Sequence, residues 1–196
     1  MSDLISAPTR GEIPTLLAGT FPSDFAGRHG LTEGPLDAAE LAVFNISALT
    51  GATQEQVETW SQLRDLYIPT IILISDLESA EMDFDDMAAI IGKQLDPVVT
   101  PFLVLHDDAG LPAALIDLDS LKIHNYVNGE QVIQESDPEH KVLVFEFRKE
   151  YLEALEAGGD DAFVQALLFP ALPYSLVNGL GTIELDQYLA LLPSSS

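Results

Sequence analysis

The chain has 196 residues, 47% of them hydrophobic, and carries 8 basic side chains against 32 acidic ones for a net charge of −24. That length and apolar content can bury a real core, so the chain is globular rather than disordered, as one domain or one domain with a small appendage. The charge excludes a protein built to grip phosphate backbones, because such binding needs Lys and Arg to release counterions.

Cysteine is absent, which excludes disulfides and thiolate metal sites and fits a reducing compartment. The opening MSDLISAPTR lacks a basic region followed by an apolar run, so no signal peptide is expected. No apolar stretch approaches the roughly 18 to 20 residues that span a bilayer. The expectation is a soluble, cytoplasmic protein. Its acidity reads as a solubilising surface, or as an acidic face for a basic partner or a mimic of nucleic acid.

In chain order, Thr15 to Ala18 reads as a short strand between Pro14 and Gly19. Residues 19 to 37 hold four glycines and two prolines, which predicts loop with one short helical turn. Leu41 to Ser47 reads as a strand with Leu41, Val43, Phe44 and Ile46 buried. Thr53 to Leu66 follows as an amphipathic helix. Thr53 is its N-cap, Gln56 completes an approximate capping box, and Val57, Trp60, Leu63 and Leu66 share one face.

The run Ile71 to Ile74 after Pro69 reads as a buried parallel strand ending in Ser75, Asp76, Leu77 and Glu78. Ligands of doubly wound sheets sit just past such strand ends, so Ser75 to Glu78 mark the expected crevice. Asp83 to Leu95 shows helical spacing through Met87, Ile90, Ile91 and Leu95. Glu81, Asp83, Asp85 and Asp86 could gather a divalent cation. Acidic residues at a helix start favour the dipole without any ion, however, and no calcium-loop pattern is present, so no metal is expected.

Four strand-like pieces come next, at Val98 to Leu105, Leu111 to Asp117, Leu121 to Val127 and Gln131 to Gln134. Asp107 to Gly110 and Asn128-Gly129 are hairpin signals between them, which predicts an antiparallel unit. His106 and His124 lie here, and neither spacing supports a Ser-His-Asp arrangement. Val142 to Phe147 alternates like a strand before a helix through Tyr151, Leu152 and Leu155. Gly158-Gly159 ends that helix, and Asp160-Asp161 are expected to cap another through Phe163, Leu167 and Leu168. A last strand is expected over Leu167 to Leu172, a closing helix over Thr182 to Leu192, and a frayed Ser tail.

These residues resemble the GTP-binding domain of translational GTPases, and within them elongation factor G and its bacterial paralogues. That family carries Val-Pro-Arg, an apolar strand, Asn-Lys-x-Asp, then Ala-Asp-Phe. Here Ile68-Pro69-Thr70, Ile71 to Ile74, Ser75-Asp76-Leu77-Glu78 and Met82-Asp83-Phe84 stand at the same spacing. Upstream, Leu41 to Ile46, Gly51, Thr53-Gln54 and Trp60 are similar to the preceding strand, turn and helix. Downstream, Val98 to Leu105, Ala114 to Leu118 and Lys122 resemble the inserted subdomain, and Gly179 to Thr182 with Leu192-Pro193-Ser194 looks like the closing helix.

The resemblance implies an α/β fold: a truncated, P-loop-GTPase-like, mostly parallel sheet flanked by helices, with an inserted antiparallel β subdomain. Residues 1–97 and 160–196 would form the core and residues 98–159 the insert. It also marks what is changed. Ser75, Asp76 and Glu78 replace the Asn, Lys and Asp that hold guanine, and Ala18 stands at the magnesium-linked Asp. Each charge-assisted hydrogen bond so lost is worth roughly 1.5 to 3 kcal/mol.

No G-x-x-x-x-G-K-[ST] phosphate loop exists, since the Gly92-Lys93 pair is followed by Gln94 inside a helical pattern, and only 12 residues precede Ile13. Pro170 to Pro173 stands in place of the Ser-Ala loop that touches guanine. The family's first strand, in mid-sheet, is missing, so its neighbours must pair directly or recruit a strand from another chain. A homodimer through an exposed edge is one consequence.

The expectation is therefore a catalytically inactive elongation-factor-G-like module with a protein partner, no cofactor, no metal and no GTPase activity. The alternative is an enzyme or small-molecule binder that uses the crevice at Ser75 to Glu78, with His106 as a further polar group.

Overall fold

The computed structural model describes residues 12–127 and 130–193. The Asn128-Gly129 turn and the Ser tail lie outside them. Among the described residues, nine strands form two sheets. β1 (Ile13–Ala18), β2 (Leu31–Glu33), β3 (Leu41–Ser47), β4 (Thr70–Ser75) and β9 (Ala171–Pro173) make a parallel sheet in the order β2-β1-β3-β4-β9. β5 (Phe102–His106), β6 (Pro112–Asp117), β7 (Lys122–Val127) and β8 (Glu130–Glu135) form an antiparallel meander. The helices are α1 (Phe25–Arg28), α2 (Gln54–Leu66), α3 (Phe84–Gln94), α4 (Pro138–Leu143), α5 (Phe145–Gly158) and α6 (Thr182–Leu191). The fold is α/β, with helices flanking the parallel sheet and a separate antiparallel sheet, as expected.

Strands β3 and β4 are apolar on both faces because both faces are covered. Ala42, Phe44, Ile46, Ile72 and Ile74 pack with Trp60, Leu63, Met87 and Ile91 of α2 and α3. Leu41, Val43, Ile71 and Leu73 pack with Phe25 of α1 and with Leu185 and Leu189 of α6. The antiparallel sheet enters both layers, since Leu103 and Ile116 join the first and Phe102 and Leu115 the second. At the centre of the first layer, Trp60 stands edge-on to Phe44 and Phe169, with ring centroids 5.3 and 5.0 Å away. Its Nε1 donates to Asp96 at 2.8 Å.

β1 pairs directly with β3, Leu16 opposite Ala42 and Ala18 opposite Phe44, so the sheet is continuous between them. Other expectations are corrected. Residues 31 to 33 form β2, parallel to β1 in register Ile13 to Leu31; three residues, two of them exposed, leave no periodicity to read. Val142 to Phe147 is helical, spanning α4 and α5: Pro138 starts α4 at its first positions, and of this run Val144 is buried while Val142, Leu143 and Phe145 are exposed. The apolar run in the sequence did not follow burial there.

Residues 160 to 166 form successive turns rather than a helix, with Ala166 at φ 55°. The last strand is Ala171 to Pro173, so the prolines stand in and beside β9 and not in the loop after it. An edge strand tolerates proline because one side of its backbone needs no ladder partner. Leu66, placed on the buried face of α2, is half exposed, whereas Gln56 is buried.

Candidate functional site

Four parallel strands, β1, β3, β4 and β9, end on the same side of the sheet, and a cleft of about 1050 Å³ opens there. Its position is the one that doubly wound sheets use for ligands. Ala18, Gly19 and Thr20 line it after β1, Asn45, Ser47 and Thr50 at β3, Ser75, Asp76 and Glu78 after β4, and Tyr174 to Val177 after β9. All four positions singled out in the sequence, Ala18, Ser75, Asp76 and Glu78, therefore meet in one place.

The walls are set by hydrogen bonds from this chain. Gln56, buried in the first turn of α2, closes a capping box with Thr53, each side chain answering the other's backbone N–H at 3.0 and 3.2 Å. Its Nε2 also donates to the carbonyls of Ala18 at 3.1 Å and Asn45 at 2.8 Å, tying the ends of β1 and β3 together. Gly19, at φ 124°, permits this approach: a Cβ there would lie 2.4 Å from the Asn45 carbonyl oxygen. The Asn45 amide donates to the Thr20 carbonyl at 2.6 Å, while its Oδ1, buried from solvent, has no hydrogen-bond partner among the described residues.

Asp76 turns the chain out of β4 with φ 60°, a left-handed conformation that Asp tolerates better than most residues. Its carboxylate is exposed. Glu78 accepts the Ser175 hydroxyl, whose oxygen in turn accepts from the Val177 N–H at 3.2 Å. The loop after β9 is held by the Ser175 N–H bonding the Leu180 carbonyl at 2.9 Å. Gly181 is fixed at φ 85°, where a Cβ would lie 1.8 Å from the Pro173 oxygen. Sequence reasoning missed Ser175, because it placed the loop at Pro170 to Pro173; the signal available was Gly179 to Thr182, which locates the loop just before it.

Charge in the cleft has one sign. Glu55, Asp76 and Glu78 line it, and among the described residues no Lys, Arg or His does. Lys93 of the Gly-Lys pair is in the last turn of α3 and is not among the lining residues. Tyr174, a lining residue whose ring packs against Phe25 and His29, has its hydroxyl pushed up to about 12, chiefly by burial.

His106 lies in a separate, smaller cavity of about 290 Å³, with Glu78, Glu81 and Asp83. Burial, then the neighbouring Asp86 and Asp83, raises the Asp85 carboxyl above the usual range. His124 is distant in role: it is 5% exposed and its Nδ1 lies 2.7 Å from Oε1 of Glu184, a carboxylate with no solvent exposure. Tyr126 donates to the same carboxylate, and Gln131 does so at 2.7 Å. This buried network joins the antiparallel sheet to the start of α6. Nothing in the spacing of residues 124 and 184 could have paired them.

No family model matches the chain, and no curated protein matches it. A crystal structure of a protein from Thermus thermophilus is similar, with a TM-score of 0.68 at 26% sequence identity, over 88% of this chain and 29% of that one. The chain therefore spans less than a third of the length of that protein. Among the described residues no helix is long and apolar enough to cross a membrane.

Proposed function

We propose that the chain is a non-hydrolytic, elongation-factor-G-like α/β domain that serves as a protein-interaction module and takes no nucleotide. The observation that carries this reading is the cleft at the strand ends, lined among the described residues by three carboxylates and no cation. A phosphate charge held about 6 Å from one carboxylate is repelled by roughly 1 to 3 kcal/mol between watery and surface-like dielectrics. The N-terminus of α2 would ordinarily attract an anion, yet the Thr53–Gln56 capping box already answers two of the N–H groups there and Glu55 places a carboxylate in the first turn.

The proposal places the chain in the cytoplasm, in keeping with the lack of cysteine. It assigns no nucleic-acid contact, given the net charge of −24. Self-association through a sheet edge belongs to the same reading, and β8 is the edge best suited: Val132 and Ile133 are both about half exposed and the strand pairs on one side only.

The test is GTP hydrolysis with magnesium. Phosphate release at the buffer rate is the expected result. Release above it that disappears in Glu78→Ala would sink the proposal. A second reading, a small polar ligand in the same crevice, is favoured by the size of the cleft, which is at the upper end of the roughly 300 to 1000 Å³ common for ligand sites.

A further inference from the structure

We infer that the strand-end cleft is itself the docking surface, and that it takes a protein segment presenting a Lys or Arg beside an apolar side chain. The inference rests on the interaction-module reading and names the partner's chemistry. Charge supplies the first argument. Glu55 and Asp76 are exposed carboxylates at the cleft, and Asp76 has neither a hydrogen bond nor an ion pair to its side chain among the described residues. A cation entering the cleft would meet no like charge among the described residues.

The polar wall is compatible with this, since its side-chain amide donors are used internally: the Gln56 amide is spent on two carbonyls and the Asn45 amide on a third, which leaves hydroxyls that accept as well as donate. The Asn45 Oδ1 is left as a buried acceptor without a partner among the described residues. A guanidinium or ammonium brings only donors and complements such a wall.

Apolar groups supply the second argument. Leu176 and Val177, which line the cleft, are 52% and 86% exposed. Leu49, between the lining residues Ser47 and Thr50, is 57% exposed. Exposed apolar side chains grouped at a polar-rimmed cleft mark a surface that a partner or ligand covers. A free amine would satisfy the carboxylates and leave these uncovered, whereas a basic peptide with an apolar residue covers both.

Fluorescence anisotropy with a labelled peptide alternating Arg and Leu, against its Glu-Leu counterpart, tests the inference. Saturable binding of the basic peptide alone is expected. Glu55→Gln with Asp76→Asn should weaken it about tenfold or more. Glu153→Gln with Glu156→Gln, which makes the same change in net charge on exposed positions of α5, should change it less than about twofold. Leu176→Ser with Val177→Ser should weaken it as well, and Trp60 emission checks that each variant is folded.

Equal losses in the two charge pairs, or no saturable binding, would overturn the inference. GTP titrated into the same protein separates the two readings. Saturable GTP binding overturns the nucleotide-free proposal on which the inference rests, whereas binding of neither ligand overturns the inference alone.

Discussion

Glu184 is a carboxylate with no solvent exposure, and its stability depends on the donors that surround it. His124, Tyr126 and Gln131 all converge on its two oxygens. Glu184→Ala would leave these groups unanswered in a dry site, and a buried polar group left without its partner costs about 1 to 3 kcal/mol. We expect the urea midpoint to fall accordingly; an unchanged midpoint would show that the network contributes nothing. Asp85 has the opposite sign. Its folded-state carboxyl is raised, so the folded state binds its proton more tightly than the unfolded state, and the charged form destabilises the fold. That penalty is fully present above the raised value and is relieved as pH falls through it towards the ordinary Asp range. Asp85→Asn should therefore raise the melting temperature at pH 7 and lose that advantage at pH 3, and an equal effect at both would contradict the assignment.

At the scale of elements, α2 organises the cleft because one residue of its first turn both caps the helix and ties β1 to β3. Thr53→Ala removes the cap and should cost about 1 kcal/mol in thermal unfolding. No loss would mean that the Gln56 bonds to the strands hold the helix start unaided. This helix was legible in the sequence, as were β3 and β4, because capping chemistry and two-sided burial leave marks within one segment. The meander was legible too, from Asp107 to Gly110, where the Asp107 side chain accepts from the Ala109 and Leu111 N–H groups at 2.9 Å.

What failed to show is equally local in cause. β2 and β9 are three residues each, too short for any period. Val142 to Phe147 mimicked a strand because it is a run of aliphatic and aromatic side chains interrupted only by Glu146, whereas most of them face solvent. In the cleft, Ala18, Ser75, Asp76 and Glu78 were all foreseen, since each ends or follows a readable strand. Ser175 was not, because its place depends on where a proline-bounded strand stops. Its bond to Glu78 is a long-range pairing that no spacing announces.

For the whole molecule, one sign of charge prevails from surface to cleft. The net charge of −24 sets a field that repels polyanions at a distance. Glu55, Asp76 and Glu78 repeat that repulsion at the one place where the α/β architecture would receive a ligand. The direct pairing of β1 with β3 brings the ends of both strands to that cleft. The scaffold thus presents a structured strand-end surface whose lining charge is negative throughout the described residues.

The central claim, that this surface takes no guanine nucleotide, is tested most directly by titrating the purified chain with fluorescent GDP and GTP in magnesium up to about 1 mM, where a half-saturated site corresponds to about 4 kcal/mol of binding free energy. A signal that rises without saturation is the predicted result. Saturable binding that GTP and GDP share and ATP does not compete would contradict the account, and would mean that Glu78 and Ser175 still hold a guanine base.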